Sequence, residues 1–258
     1  MILAVIPSTG MLLIAIAFLA GVGITAIGPG GIFLTIALLT LGQLPPAGVA
    51  GTSSAAMVAA GLVGTLVYLR SGELKQQRNR SLAVILSSSG LVGALLGSWL
   101  NTFVSPAGFA VLLGIMAFAA GGIILLQEWR GLSAHVQLDM DHAAGRTVLA
   151  SLGLAIGTIS GLVGVGGPVM SVPALVMLGV PIVSAVAIAQ AQSLPIAAFA
   201  TAGYVARDAV QWSWVAAVGL PLLLGVVTGW RVARHVEPRA LKLLLGCVLL
   251  AIGPYLAL

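Results

Sequence analysis

The sequence predicts an all-α fold: a polytopic transmembrane helical bundle of two inverted five-segment repeats, with a short half-helix in each. Three observations predict it. Sixty per cent of the 258 residues are hydrophobic and 7% are charged, and the mean hydropathy is +1.16, more apolar than a water-soluble domain of this size. Polar punctuation cuts the chain into ten apolar segments, most of them near the ~20 residues that a helix needs to cross ~30 Å of hydrocarbon. The two halves also share glycines, a proline and a tyrosine at fixed offsets. The short alternating segments of a transmembrane barrel are absent.

The first five segments are 11–27, 31–44, 47–69, 81–100 and 106–127. The second five are 147–163, 168–180, 182–206, 212–230 and 240–258. These divide the chain into a first repeat over 1–127, a polar loop over 128–146 (Glu128 to Arg146) and a second repeat over 147–258. The opening "MILAVIPSTG" lacks the basic stretch of a signal peptide and reads as a short leader to the first span. Trp99, Trp129, Trp212, Trp214 and Trp230 fall at segment ends, as an interfacial belt requires.

The duplication is read from spacing. Gly28, Gly30 and Gly31 match Gly164, Gly166 and Gly167 at an offset of 136 (Gly28 to Gly164), and Tyr68 matches Tyr204 at the same offset. Gly93, Gly97, Pro106 and Gly114 match Gly225, Gly229, Pro238 and Gly246 at 132 (Gly93 to Gly225). The slip falls in "RSGELKQQRNR", the longer loop of the first half. Internal repeats of this kind build many transporters.

Charge gives the direction of each half. Ten of the eleven basic residues follow odd-numbered segments: Arg70, Lys75, Arg78 and Arg80 after the third, Arg130 and Arg146 after the fifth, and Arg231, Arg234, Arg239 and Lys242 after the ninth. Only Arg207 follows the eighth. By the positive-inside rule the odd connections are cytoplasmic. The basic third connection repeats as the nearly bare eighth, so the halves point in opposite directions and both termini face outward. A net charge of +5 set in such loops orients the chain and does not suggest nucleic acid.

Segments 31–44 and 168–180 are too short to cross alone, at ~1.5 Å per residue. Each follows a glycine cluster, "GPGG" or "GVGG". A helix that starts within the bilayer leaves its first N–H groups unpaired. Such a backbone persists only inside protein or beside a wet cavity. Its positive dipole end and free donors form an anion site. Two of them, related by an inverted repeat, are expected to face a hydrated pocket at mid-membrane. The candidate cradle is Gly28, Gly30, Gly31, Gly164, Gly166 and Gly167. Pro168 fits a helix start, and Pro173 should free the carbonyl of Val169. The competing reading of the glycines is close helix packing.

Polar residues of the third and eighth segments extend the candidate site: Thr52, Ser53 and Ser54 in "AGTSSAAM", and Gln190, Gln192 and Ser193 in "AIAQAQSLP". Their donors suit oxyanion oxygens, although such residues also join helices. No Asp, Glu, Lys, Arg or His lies squarely within a segment, so an anion would be held by neutral donors and dipoles. That leaves an intramembrane enzyme without base or metal. No cofactor is expected. The lone Cys247 excludes a disulfide framework, and His135, His142, Asp139 and Asp141 read as a solvated linker rather than a metal site. Arg207 and Asp208 read as an interfacial pair or an outer gate.

The motifs "GPGGIFLTIALLTLGQLPPAGVAGTSSAAM" and "GVGGPVMSVPALVMLGVPIVSAVAIAQAQSLP" resemble the TauE/SafE family of sulfite exporters, and the likeness in length, duplication and hydropathy covers essentially the whole chain. The resemblance implies a multi-pass carrier in a bacterial-type inner membrane, moving sulfite, sulfonates or related small anions, with the six glycines at the family's motif positions. Ile32 and Pro168 interrupt the longer glycine run of the family pattern, and Ala37 stands where the second copy has Pro173. No phosphate-binding Walker loop is present, so a proton gradient, another ion gradient or the membrane potential would drive transport. A passive anion channel is the alternative, and a non-transporting assembly subunit a further one. Oligomeric state is not legible.

Overall fold

The computed structural model describes residues 8–130, 143–232 and 238–257. Among them ten α-helices follow in order: α1 Ser8–Ala26, α2 Gly31–Thr40, α3 Pro46–Ser71, α4 Gln77–Leu100, α5 Pro106–Arg130, α6 Ala143–Val163, α7 Pro168–Met177, α8 Ile182–Val205, α9 Trp212–Val232 and α10 Pro238–Ala257. Short 3-10 turns at Glu73–Lys75 and Asn101–Phe103 join α3 to α4 and α4 to α5. Six helices, α3, α4, α5, α6, α8 and α9, are long and apolar enough to cross a membrane. The apolar stretches of α1 and α10 are shorter, and α2 and α7 have ten residues each, or ~15 Å of helix.

Helix ends depart from the expected bounds in two ways. α4 starts at Gln77, α5 runs to Arg130 and α6 starts at Ala143, so Glu128 and Arg146 are helical rather than loop. Gln, Glu and Arg are good helix formers, and charges tolerate turns that emerge into water. Glu128 there pairs with Lys242 at 3.0 Å and Arg239 at 3.6 Å, tying the end of α5 to the start of α10. α2 and α7 instead stop early. α2 ends before Gly42 and the Pro45–Pro46 pair, and α7 ends before Gly179, at φ +85°, and Pro181.

The helices pack as α1 with α9, α4 with α6, α3 with α8 and α5 with α10. The first two pairs run parallel, because contacting positions rise together: Phe18 and Val22 meet Gly225 and Gly229, while Leu154 and Thr158 meet Gly93 and Gly97. At all four glycines a Cβ would strike a backbone carbonyl of the partner helix, so the backbones touch. The other two pairs run antiparallel. Gly51, Gly61 and Gly64 meet Tyr204, Leu194 and Gln190, and Gly114 and Gly121 meet Gly253 and Gly246.

Two hydrogen bonds link helix ends in the same pattern. The Tyr68 hydroxyl donates to the Thr25 carbonyl at 2.8 Å, and that of Tyr204 to the Gly161 carbonyl at 2.8 Å, each across 43 residues. Arg207 does not pair with Asp208 among the described residues. Its guanidinium lies 4.9 Å from the centre of the Tyr204 ring and donates to the carbonyls of Gly203 and Ser98. α2 and α7 sit in the middle of the bundle. Ile32, Leu34, Leu38, Val169 and Leu175 are fully buried, as expected of helices apolar on every side. The linker residues His135, Asp139, Asp141 and His142, and Arg234, lie outside the described residues.

Candidate functional site

The chain reverses between α1 and α2 at Gly28, φ +112°, and between α6 and α7 at Gly164 and Gly166, φ +76° and +78°. These are left-handed conformations that other residues adopt only at a cost. Each reversal returns the chain into the bundle and starts a half-helix, α2 with Gly30 as its N-cap and α7 with Gly167 as its N-cap and Pro168 in its first turn. No side chain caps either start, so their first amides depend on backbone, water or ligand.

The two reversals meet each other. A Cβ on Gly31 would lie 2.7 Å from the Val165 carbonyl, and one on Gly28 would run into the Val172 side chain. Between them is a narrow crevice lined by Gly28, Gly31, Met57, Gly61, Gln190 and Ser193, among others. Its walls are too close for a water molecule. The hydrated pocket expected from the sequence is therefore closed in this conformation. Met57 explains much of that: its thioether reaches within 3.1 Å of a Cβ position on Gly31, and its Cγ within 3.7 Å of one on Gly166. The 136 offset relates Met57 to Ser193.

The candidate residues separate into three groups. Gly28, Gly31, Gln190 and Ser193 line the crevice, and Gly166 and Gly167 stand against Ser193. Gly30 and Gly164 face away: Gly30 packs on Ala20, Gly23 and Ile24 of α1, and Gly164 on the backbone of Ala50 of α3. Thr52, Ser53, Ser54 and Gln192 are buried but do not border the crevice. Thr52 accepts from the Gln211 amide at 3.1 Å. Ser53 shares a 2.9 Å hydrogen bond with Thr35, which in turn donates to the Gly164 carbonyl at 3.2 Å.

The two glutamines behave differently. Gln190 donates through Nε2 to the Ile24 carbonyl at 2.9 Å, joining α8 to α1. Gln192 accepts through Oε1 from Ser171 in α7 at 2.7 Å. Its Nε2 is buried and has no partner. An unpaired buried amide donor is costly, and this one lies beside the first turns of a half-helix. Ser160 closes the second reversal by donating to the Gly166 carbonyl at 3.0 Å. Thr35 in α2 and Ser171 in α7 were not among the expected site residues, although the 136 offset relates them too.

Among the described residues no group of acidic, histidine or cysteine side chains is arranged to hold a metal. A family model described as Sulfite exporter TauE/SafE matches residues 13–256. A curated relative, the probable membrane transporter protein YdhB of Bacillus subtilis (strain 168), is 28% identical over 234 residues, covering 90% of this chain and 94% of the relative. No solved structure matches.

Proposed function

We propose, on the premise that the chain belongs to the TauE/SafE sulfite exporter family, that it exports small sulfur-containing or organic anions, sulfite or sulfonates among them, as a secondary carrier. The premise itself makes it a multi-pass membrane transporter and not an enzyme. The anion is held by the N-termini of α2 and α7, with Ser193 and Gln190, which line the crevice, as neutral donors, and with the unpaired Nε2 of Gln192, behind the first turns of α7, reached as the crevice opens. The observation that carries this reading is the convergence of both half-helix starts on one crevice, at residues that carry no charge. Neutral donors bind weakly enough to release, and an inside-negative potential favours export by ~2.3 kcal/mol per charge per 100 mV.

The inverted-repeat architecture belongs to the same proposal. Exchanging α1–α5 with α6–α10 turns the α1·α9 contact into α6·α4 and leaves α3·α8 and α5·α10 unchanged. The Tyr68 and Tyr204 bonds exchange as well. The antiparallel course of α3 against α8 and of α5 against α10 supports a twofold axis in the membrane plane.

Because the crevice is too narrow for water, binding requires α2 or α7 to withdraw from the other, as alternating access demands. Flux of sulfite and of short sulfonates into proteoliposomes tests the reading. Saturable flux with counterflow stimulation is expected. Flux without saturation would instead mark a channel.

A further inference from the structure

We propose that the groove between α3, α4 and α8 is the cytoplasmic vestibule that admits the anion to the crevice, a step that rests on the transport reading above. The crevice has no room for a water molecule, let alone a hydrated ion, whereas this groove holds about 760 Å³ of space open to water. Its mouth carries Lys75 and Arg80, and Thr65, Ser87 and Ser88 stand along its walls.

Charge suits an anion at that mouth. Lys75 and Arg80 are exposed and form no ion pair with a described residue. Glu73, the acid of the same connection, has its Oε2 engaged by the Ser184 hydroxyl of α8 at 2.7 Å. Two cations against one carboxylate leave the rim net positive, and a net positive rim on a low-dielectric groove concentrates anions there.

The inner end of the groove adjoins the crevice. Ala191 borders the groove and its chain neighbour Gln190 borders the crevice; Thr65 borders the groove and Gly61, one turn earlier on α3, borders the crevice. Between the two spaces the Thr65 hydroxyl sits 3.1 Å from the Gln190 carbonyl. That contact is the partition an ion must pass. Pro195 also lines the inner end, and its missing N–H leaves the Ala191 carbonyl without its helical donor. A carbonyl so placed at mid-membrane calls for water rather than an acyl chain.

The test is single-cysteine labelling at Ser87→Cys and Leu91→Cys, in a Cys247→Ser background, in reconstituted protein. A negatively charged and a positively charged methanethiosulfonate are compared, each normalised to a free thiol. Both sites should react from the cytoplasmic side, the anionic reagent about tenfold faster, and Lys75→Gln with Arg80→Gln should abolish the preference. Folding of each variant is checked by thermal unfolding. Folded protein whose Ser87→Cys resists both reagents, together with a phospholipid retained in native mass spectrometry and lost on Lys75→Gln with Arg80→Gln, would make the groove a lipid site and overturn the proposal. Reaction without charge preference would also overturn it. The labelling needs no flux, so its failure is distinct from a failure of the transport reading, which would appear as absent flux in the unlabelled protein.

Discussion

Gly166 and Gly167 are neighbours with opposite tolerance for a side chain. Gly166 sits at φ +78°, where a Cβ costs about 1–2 kcal/mol. Gly167 has φ −63°, and an added Cβ would make ordinary contacts, with Ser193 at 3.5 Å and Ile196 at 3.6 Å. Gly166→Ala should therefore lower the unfolding temperature and the transport rate, while Gly167→Ala should unfold like the parent. Thermal unfolding in detergent, run beside liposome flux, checks both. The sequence grouped the two glycines because composition and offset are alike for both. Backbone angle separates them, and no single-residue signal reports it. Gln192 makes a second residue-scale case. If its unpaired Nε2 serves the anion, Gln192→Leu removes that donor, and it also removes the acceptor of the buried Ser171 hydroxyl, so the fold should lose about 1–3 kcal/mol. The substitution should raise the half-saturating anion concentration by about tenfold, a loss near 1.4 kcal/mol. A variant that transports normally would return Gln192 to a purely structural role.

At the scale of elements, the hydroxyls of Tyr68 and Tyr204 fasten the ends of α3 and α8 to the carbonyls of Thr25 and Gly161. Each bond is buried and made to a helix-end carbonyl. Tyr68→Phe and Tyr204→Phe should each cost about 1 kcal/mol, with similar falls in thermal unfolding temperature. Much of this level was legible in the sequence. All ten segments are helices because their apolar runs leave no other way to satisfy a backbone in lipid. The half-helices were legible from length and glycine. The glycine stripes of α4 and α9 were legible as repeats but not as contacts, since offset alone does not say that Gly93 touches Leu154 and Gly225 touches Phe18. The closed crevice was not legible at all: Met57 reads as one more apolar residue until its thioether is placed over Gly31. The sequence therefore pointed to the right reversals and overestimated the room between them.

At the scale of the whole molecule, two independent arguments bear on sidedness. By the positive-inside rule the basic residues predict a cytoplasmic connection after α3, and they leave the connection after α8 nearly bare. Separately, α3 and α8 pack antiparallel, with Gly51 against Tyr204 and Gly64 against Gln190. Two antiparallel spans must send their C-terminal ends to opposite faces, whatever the loop charges are. A half-helix that returned to the face it came from would break this agreement, because it would remove one crossing from each half. Cysteines at Arg78 and Asp208, each in a Cys247→Ser background, decide the matter in intact cells. Asp208→Cys should react with an impermeant maleimide from outside, and Arg78→Cys only after the membrane is opened. Thr102→Cys, exposed in the turn between α4 and α5, should label with Asp208→Cys. Labelling of Arg78→Cys and Asp208→Cys from the same face would leave both half-helix starts without an inverted frame. The two dipoles would then no longer oppose each other across the crevice, and the shared anion site would lose its geometric basis.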